Sequence, residues 1–70
     1  MVRQSVVSSN LSSVGYDPAT ATLEIAFHNG GIYQYFNIPS SVHAGLLTAP
    51  SKGSYLHRFI RGKYRYRKVA

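Results

Sequence analysis

The stretch Thr22-Leu23-Glu24-Ile25-Ala26-Phe27, then His28-Asn29-Gly30-Gly31, then Ile32-Tyr33-Gln34-Tyr35-Phe36 decides the fold. The first segment alternates, with Leu23, Ile25 and Phe27 on one face, as a half-buried strand does. The polar break after it carries Asn-Gly, a hairpin signal. The β-branched and aromatic run beyond reads as the partner strand. Two registers are open. If Asn29-Gly30 is a two-residue loop, Phe27 faces Ile32, and Tyr33 and Tyr35 share the outer face with Glu24 and Ala26. They are then a stacking platform, but Gln34 is buried. If His28-Asn29-Gly30 is a three-residue loop with a Gly bulge, the pairing slips by one residue. Tyr33 and Tyr35 then join Leu23, Ile25 and Phe27 in the core. Glu24 meets Gln34 on the wet face, and Ile32 and Phe36 are left there too. The balance tips to the second.

Outward from the hairpin, Val14-Gly15-Tyr16 reads as a strand ending at the turn Asp17-Pro18. Ser5-Val6-Val7 adds a short edge strand. Pro39 or Ser40 starts a helix with Val42, Leu46 and Ala49 on one face, and Pro50 stops it. Ser51 caps a second helix, whose apolar stripe is Tyr55, Leu56, Phe59 and Ile60. His57, Arg58 and Arg61 fall opposite, and Gly62 suits the C-terminal cap. Lys63-Tyr64-Arg65-Tyr66-Arg67 alternates with period two, as an extended segment with an aromatic edge and a cationic edge. The expectation is one α+β domain over 1–70. It has a small antiparallel sheet of about three to four strands with two short α-helices on one face, and the basic segment 52–70 is a further candidate edge strand.

With 70 residues and no Cys, the chain holds no disulfide staple and no thiolate metal site. Apolar residues make up 44% and charged residues 14%, which excludes the usual composition of a disordered chain. No apolar run reaches signal-peptide or membrane-span length, so a cytoplasmic protein without a membrane partner is expected. Asn10-Leu11-Ser12 matches a glycosylation sequon, read as chance in that compartment. A domain this small buries only about 60% of its unfolded surface, so its large apolar side chains are committed to the core first.

Charge is segregated. Asp17 and Glu24 are the only acids, whereas Lys52, Arg58, Arg61, Lys63, Arg65, Arg67 and Lys68 give the last 19 residues +7 of a net +6. Cations interleaved with Tyr55, Tyr64 and Tyr66 suit phosphate neutralisation and base stacking. The plain alternative is a solvated basic face that keeps a small protein soluble. For Tyr16 and Tyr55 the plain reading, a core tyrosine with a partnered hydroxyl, is the stronger.

Catalytic and metal chemistry are not suggested. His28, His43 and His57 share no ligand spacing. Asp17 is more simply a turn residue. There is no Gly-x-Ser-x-Gly elbow and no phosphate loop. Gly53 lets backbone approach closely near a helix start, where an anion could sit. No catalytic residue, metal or cofactor is expected.

Ser12-Ser13-Val14-Gly15-Tyr16-Asp17, Leu23-x-Ile25-x-Phe27, Asn29-Gly30, Tyr33-Gln34-Tyr35, Ile38-Pro39, Ala49-x-Ser51-Lys52-Gly53, Ile60-Arg61 and Tyr64-x-Tyr66 occur in that order. Together they resemble the KTSC domain family, named for the C-terminus of some lysyl-tRNA synthetases and also found as short stand-alone bacterial proteins. The resemblance covers nearly the whole chain, and the family's Tyr-x-Tyr centre matches Tyr33 and Tyr35. It implies RNA as a partner, through the family's attachment to a tRNA-charging enzyme. None of the synthetase's catalytic body is present, so it does not imply aminoacylation.

The expectation is a monomeric, non-enzymatic module binding RNA, tRNA or single-stranded, through Lys52, Arg58, Arg61, Lys63, Tyr64, Arg65, Tyr66, Arg67 and Lys68. Tyr33 and Tyr35 add stacking in the first register. The alternative is a protein-interaction module for an acidic partner, since Tyr and Arg also dominate interface hot spots.

Overall fold

In a computed structural model describing residues 1–70, five antiparallel strands lie side by side in chain order. Strands β1 (Gln4–Ser5), β2 (Leu11–Asp17), β3 (Thr22–Phe27) and β4 (Ile32–Tyr35) form a meander. Helix α1 (Ser40–Thr48) follows, then α2 (Lys52–Tyr55), which runs on into a π turn, Leu56–Ile60. Strand β5 (Tyr66–Lys68) then returns beside β4. The architecture is α+β, with the helices packed on one face. The sheet is wider than expected because both short edge segments pair. One does so at Gln4–Ser5 rather than Ser5–Val7, and the other at Tyr66–Lys68 rather than from Lys63. No helix is long and apolar enough to cross a membrane.

The hairpin takes the second register. Leu23 pairs with Tyr35, Glu24 with Gln34 and Ile25 with Tyr33. The Phe27 N–H donates to the Gly31 carbonyl at 2.8 Å, and the Gly30 N–H to the Phe27 carbonyl at 2.9 Å. Gly30 sits at φ +97°, a left-handed conformation open to glycine, and this fixes the three-residue loop. Tyr35 therefore enters the core, 4% exposed, while Tyr33 is half-buried against Phe27. On the far face Gln34 Nε2 donates to Glu24 Oε1 at 2.9 Å. Ile32 and Phe36 sit half-buried on that face, as the register requires.

A bulge in β2 rescues the core pattern. Leu11 and Val14 are three apart, so strict alternation would send them to opposite faces. The pairing slips between Leu11, opposite Phe27, and Ser13, opposite Ala26. The extra residue puts both side chains on the helix side, where each is buried.

Leu46 of α1, with Leu56 and Ile60 of the π turn, closes the core over Leu23, Ile25 and Tyr35. Pro39 precedes α1, and Ser51 caps α2, its hydroxyl accepting from the Ser54 N–H at 3.4 Å. The helices touch where the Tyr55 ring lies on Gly45, so closely that a Cβ there would meet the ring at 2.8 Å from Cζ. Tyr16 ties β2 to the helical layer: its hydroxyl donates to the Ile38 carbonyl at 2.6 Å, and its ring stacks on His43 at 4.5 Å.

Phe59 departs from the expected stripe and is 46% exposed. The cause is the π winding. It takes more residues per turn than the 3.6 of an α-helix, so Phe59, three residues after Leu56, falls further round the axis from it, while Ile60, four after, still stands over Leu56. Phe59 is turned aside. The Arg61 N–H bonding back five residues to the Leu56 carbonyl at 2.8 Å marks this winding, and Gly62 at φ +79° ends it.

Candidate nucleic-acid interface

Strand β5 is the outer strand beyond β4, and its pairing distributes the C-terminal side chains. Tyr66 lies opposite Tyr35, Arg67 opposite Gln34 and Lys68 opposite Tyr33. Side chains alternate along a strand, so Tyr66 and Lys68 share the helix-side face with Tyr33 and Tyr35. Arg67 shares the far face with Gln34 and Glu24. Arg65, whose carbonyl accepts from the Phe36 N–H at 2.9 Å, lies on the far face too.

On the helix side the aromatic rings form a cluster. Phe27 meets Tyr33 edge-on at 5.6 Å, and Tyr66 lies 6.0 Å from Tyr33 and 5.7 Å from Tyr35. Tyr66 is 61% exposed. These rings, with Asn29, Arg61 and Gly62, wall a cleft of about 510 Å³. Burial pushes the Tyr35 phenol above its ordinary pKa, and the Arg61 charge pulls it partly back. Tyr33 and Tyr66 add a smaller upward push. A second cleft of about 400 Å³ lies beyond Arg61, lined also by Ser9, Asn10, His28 and Gly53.

The other cations separate into groups. Arg58 and Lys63 both lie 5.8 Å from the centre of the exposed Phe59 ring. Lys52 is drawn in, its ammonium donating to the Ala49 carbonyl at 3.3 Å. Tyr64 packs half-buried against the core. The expected residues therefore do not form one flat patch. They form a succession of groups along the chain, here called the rim: the Phe59 knob with Arg58 and Lys63, the Arg61 cleft, and the two faces of β5. Tyr35, a stacking candidate only in the unformed register, offers no open ring face, and Tyr33 is half-covered.

Phe59 is the residue that sequence periodicity misassigned, because a stripe drawn at 3.6 residues per turn includes it. Two histidines serve local structure: His28 Nε2 lies 2.9 Å from the Ser8 carbonyl, and His43 stacks on Tyr16, whereas His57 is exposed. The Gly53 backbone approaches the Asn10 side chain, where a Cβ would lie 2.8 Å from Nδ2.

The KTSC domain matches residues 7–64. A lysine–tRNA ligase from a Nostoc species is 42% identical over 62 residues, which cover 89% of this chain and 11% of that protein. A protein from Stutzerimonas stutzeri is 37% identical over 99% of both chains. A crystal structure of a KTSC domain protein from Yersinia pestis superposes with a TM-score of 0.95 at 42% identity, covering 99% of this chain and 97% of that one. The chain thus spans about a tenth of the ligases it matches and nearly all of the shorter relatives.

Proposed function

This chain belongs to the KTSC domain family, and from that premise we propose that it is a non-enzymatic RNA-binding module that grips single-stranded or tRNA backbone along the basic rim. The observation that carries the reading is Tyr66. It is an exposed aromatic on the edge strand, set against Tyr33 and beside Arg61, within a stretch of +7 that contains no acid. Arginine serves such a rim well, because its guanidinium pairs with phosphate and also stacks on a base plane. A rim fits an extended strand better than a rigid duplex, since a single strand can follow the edge from the Arg61 cleft around to Arg65 and Arg67. The protein acts as a monomer, in the cytoplasm, where tRNA is charged. The kinship to a segment of lysine–tRNA ligases is consistent with an RNA partner.

The test is fluorescence-anisotropy titration with tRNA and with single-stranded RNA over a salt series. Four or five neutralised phosphates give a slope of log K on log salt of about −3, at roughly 0.7 per contact on a single strand. Absence of binding at about 50 mM salt, where counterion release is strong, removes the reading. A partner recovered from nuclease-treated lysate would point instead to an acidic protein.

A further inference from the structure

The two clefts share a wall. Phe27, Asn29 and Arg61 line both, so the two clefts adjoin as the aromatic half and the polar half of a groove that these residues divide. Both halves fall within the roughly 300–1,000 Å³ typical of small-ligand sites. The aromatic half holds Tyr33 and Tyr66. Tyr66 is tilted 47° from Tyr33 and 35° from Tyr35, so neither ring stacks flat on it and its π-face stays available to a planar partner. The polar half presents donors. Asn29 Oδ1 is taken by the Gly31 N–H at 3.0 Å, which leaves its amide NH2 free.

Electrostatics give the groove a sign. Arg61 stands in the shared wall, and no carboxylate lines either half. Both acids are engaged elsewhere: Glu24 by Arg3 and Gln34, and Asp17 by the Ala19 N–H. A ligand for this groove is therefore flat at one end and anionic near the middle.

We propose that the groove is a single-nucleotide site, taking a base against Tyr66 and Tyr33 and its attached phosphate on Arg61. This deepens the RNA-binding reading and rests on it for the natural source, since a nucleotide reaches the groove either within a strand or free. The chemistry recognised is the same in both cases.

The experiment is a two-dimensional ¹H–¹⁵N NMR titration of the full chain with adenosine monophosphate, uridine monophosphate, adenosine, inorganic phosphate and a short single-stranded RNA. The expected result is saturable shifts at Tyr33, Tyr66, Asn29 and Arg61 with the monophosphates, weaker ones with adenosine, and none at Tyr66 with phosphate. Arg61→Gln and Tyr66→Ala each weaken nucleotide binding by about tenfold, the scale of one charge-assisted pair or one stack. Both side chains are exposed, so both variants fold. Arg3→Gln, on the far face in the pair with Glu24 and outside the rim, leaves mononucleotide affinity unchanged. Mononucleotides that shift the groove while the RNA does not bind support the site and identify free nucleotide as its source, and the RNA-binding reading alone fails. RNA that binds without shifting Tyr66 or Arg61 overturns the site and leaves the rim. Phosphate reproducing the nucleotide's shifts, or no shift with any ligand, overturns it as well.

Discussion

Arg3 reaches Glu24 across Gly15: the guanidinium donates to Oε2 at 2.8 Å, and the residue between them in the sheet has no side chain. A Cβ on Gly15 would lie 2.8 Å from the Val2 carbonyl oxygen and 3.0 Å from Arg3 Cγ. The notch thus holds the N-terminal segment down. Gly15→Ala is expected to lift it and to cost about 1–3 kcal/mol, the scale of overpacking. Arg3→Ala alone removes a partly exposed ion pair and costs less than about 1 kcal/mol. Because Gly15→Ala already displaces Arg3, the double variant should be no less stable than Gly15→Ala alone. Additive losses in chemical denaturation would show that the two residues act separately.

The π turn sets opposite expectations for two adjacent residues. Ile60 is fully buried, whereas Phe59 is 46% exposed. Ile60→Ala should cost about 2–5 kcal/mol through lost transfer energy and a cavity. Phe59→Ala should cost less, about 0.5–1.5 kcal/mol, the scale of the aromatic pair that its half-exposed ring makes with Tyr55 at 4.8 Å, although phenylalanine is the larger side chain. If Phe59→Ala is instead as costly as Ile60→Ala, the segment winds as an α-helix. Phe59→Ala should also weaken RNA binding if the knob belongs to the rim.

That contrast marks the boundary of what the sequence discloses. The alternation of Leu23, Ile25 and Phe27 and the Asn-Gly loop are enough to find the hairpin, and the pairing of Glu24 with Gln34 is enough to prefer its register. Pro39, Pro50 and Ser51 delimit the helices because each acts locally, the prolines through a fixed backbone and Ser51 through its capping hydroxyl. The β2 bulge is not legible. It becomes necessary only when Leu11 and Val14 must both meet the same helices, which is a tertiary demand. The π turn is hidden as well: Leu56 and Ile60 would share a face in either winding, and only the exposure of Phe59 reveals which one forms. The basic character of the rim is plain in composition. Its split over the two faces of β5 depends on the pairing of Tyr66 with Tyr35.

His43 predicts an acid-side loss of stability. Its imidazole is stacked on Tyr16, and burial holds its pKa below the ordinary 6.5. The neutral form is therefore favoured by folding. The stability it confers is complete above the unfolded value, falls as pH drops through about 6.5 toward the lower folded value, and levels off below that. Thermal melts from pH 8 to about 4.5 should show this fall, and His43→Gln should flatten it in that window. An unchanged profile in the variant would assign the pH dependence to another group.

Arg61 and Tyr35 provide the most direct probe of the cleft. The buried phenol is raised above 10 by desolvation, and the Arg61 charge offsets part of that rise by stabilising the tyrosinate. Arg61→Gln removes the offset and leaves the burial, so the Tyr35 pKa should climb further. The effect is electrostatic and should shrink with added salt, because Arg61 is exposed and screened. Ultraviolet absorbance resolves tyrosinate, and comparison with Tyr35→Phe isolates this residue among the six tyrosines. A Tyr35 titration that does not move in Arg61→Gln would mean that the guanidinium points away from the cleft. The same movement would then deprive a bound phosphate of its partner, so this measurement, made without any ligand, bears on the groove and on the rim together.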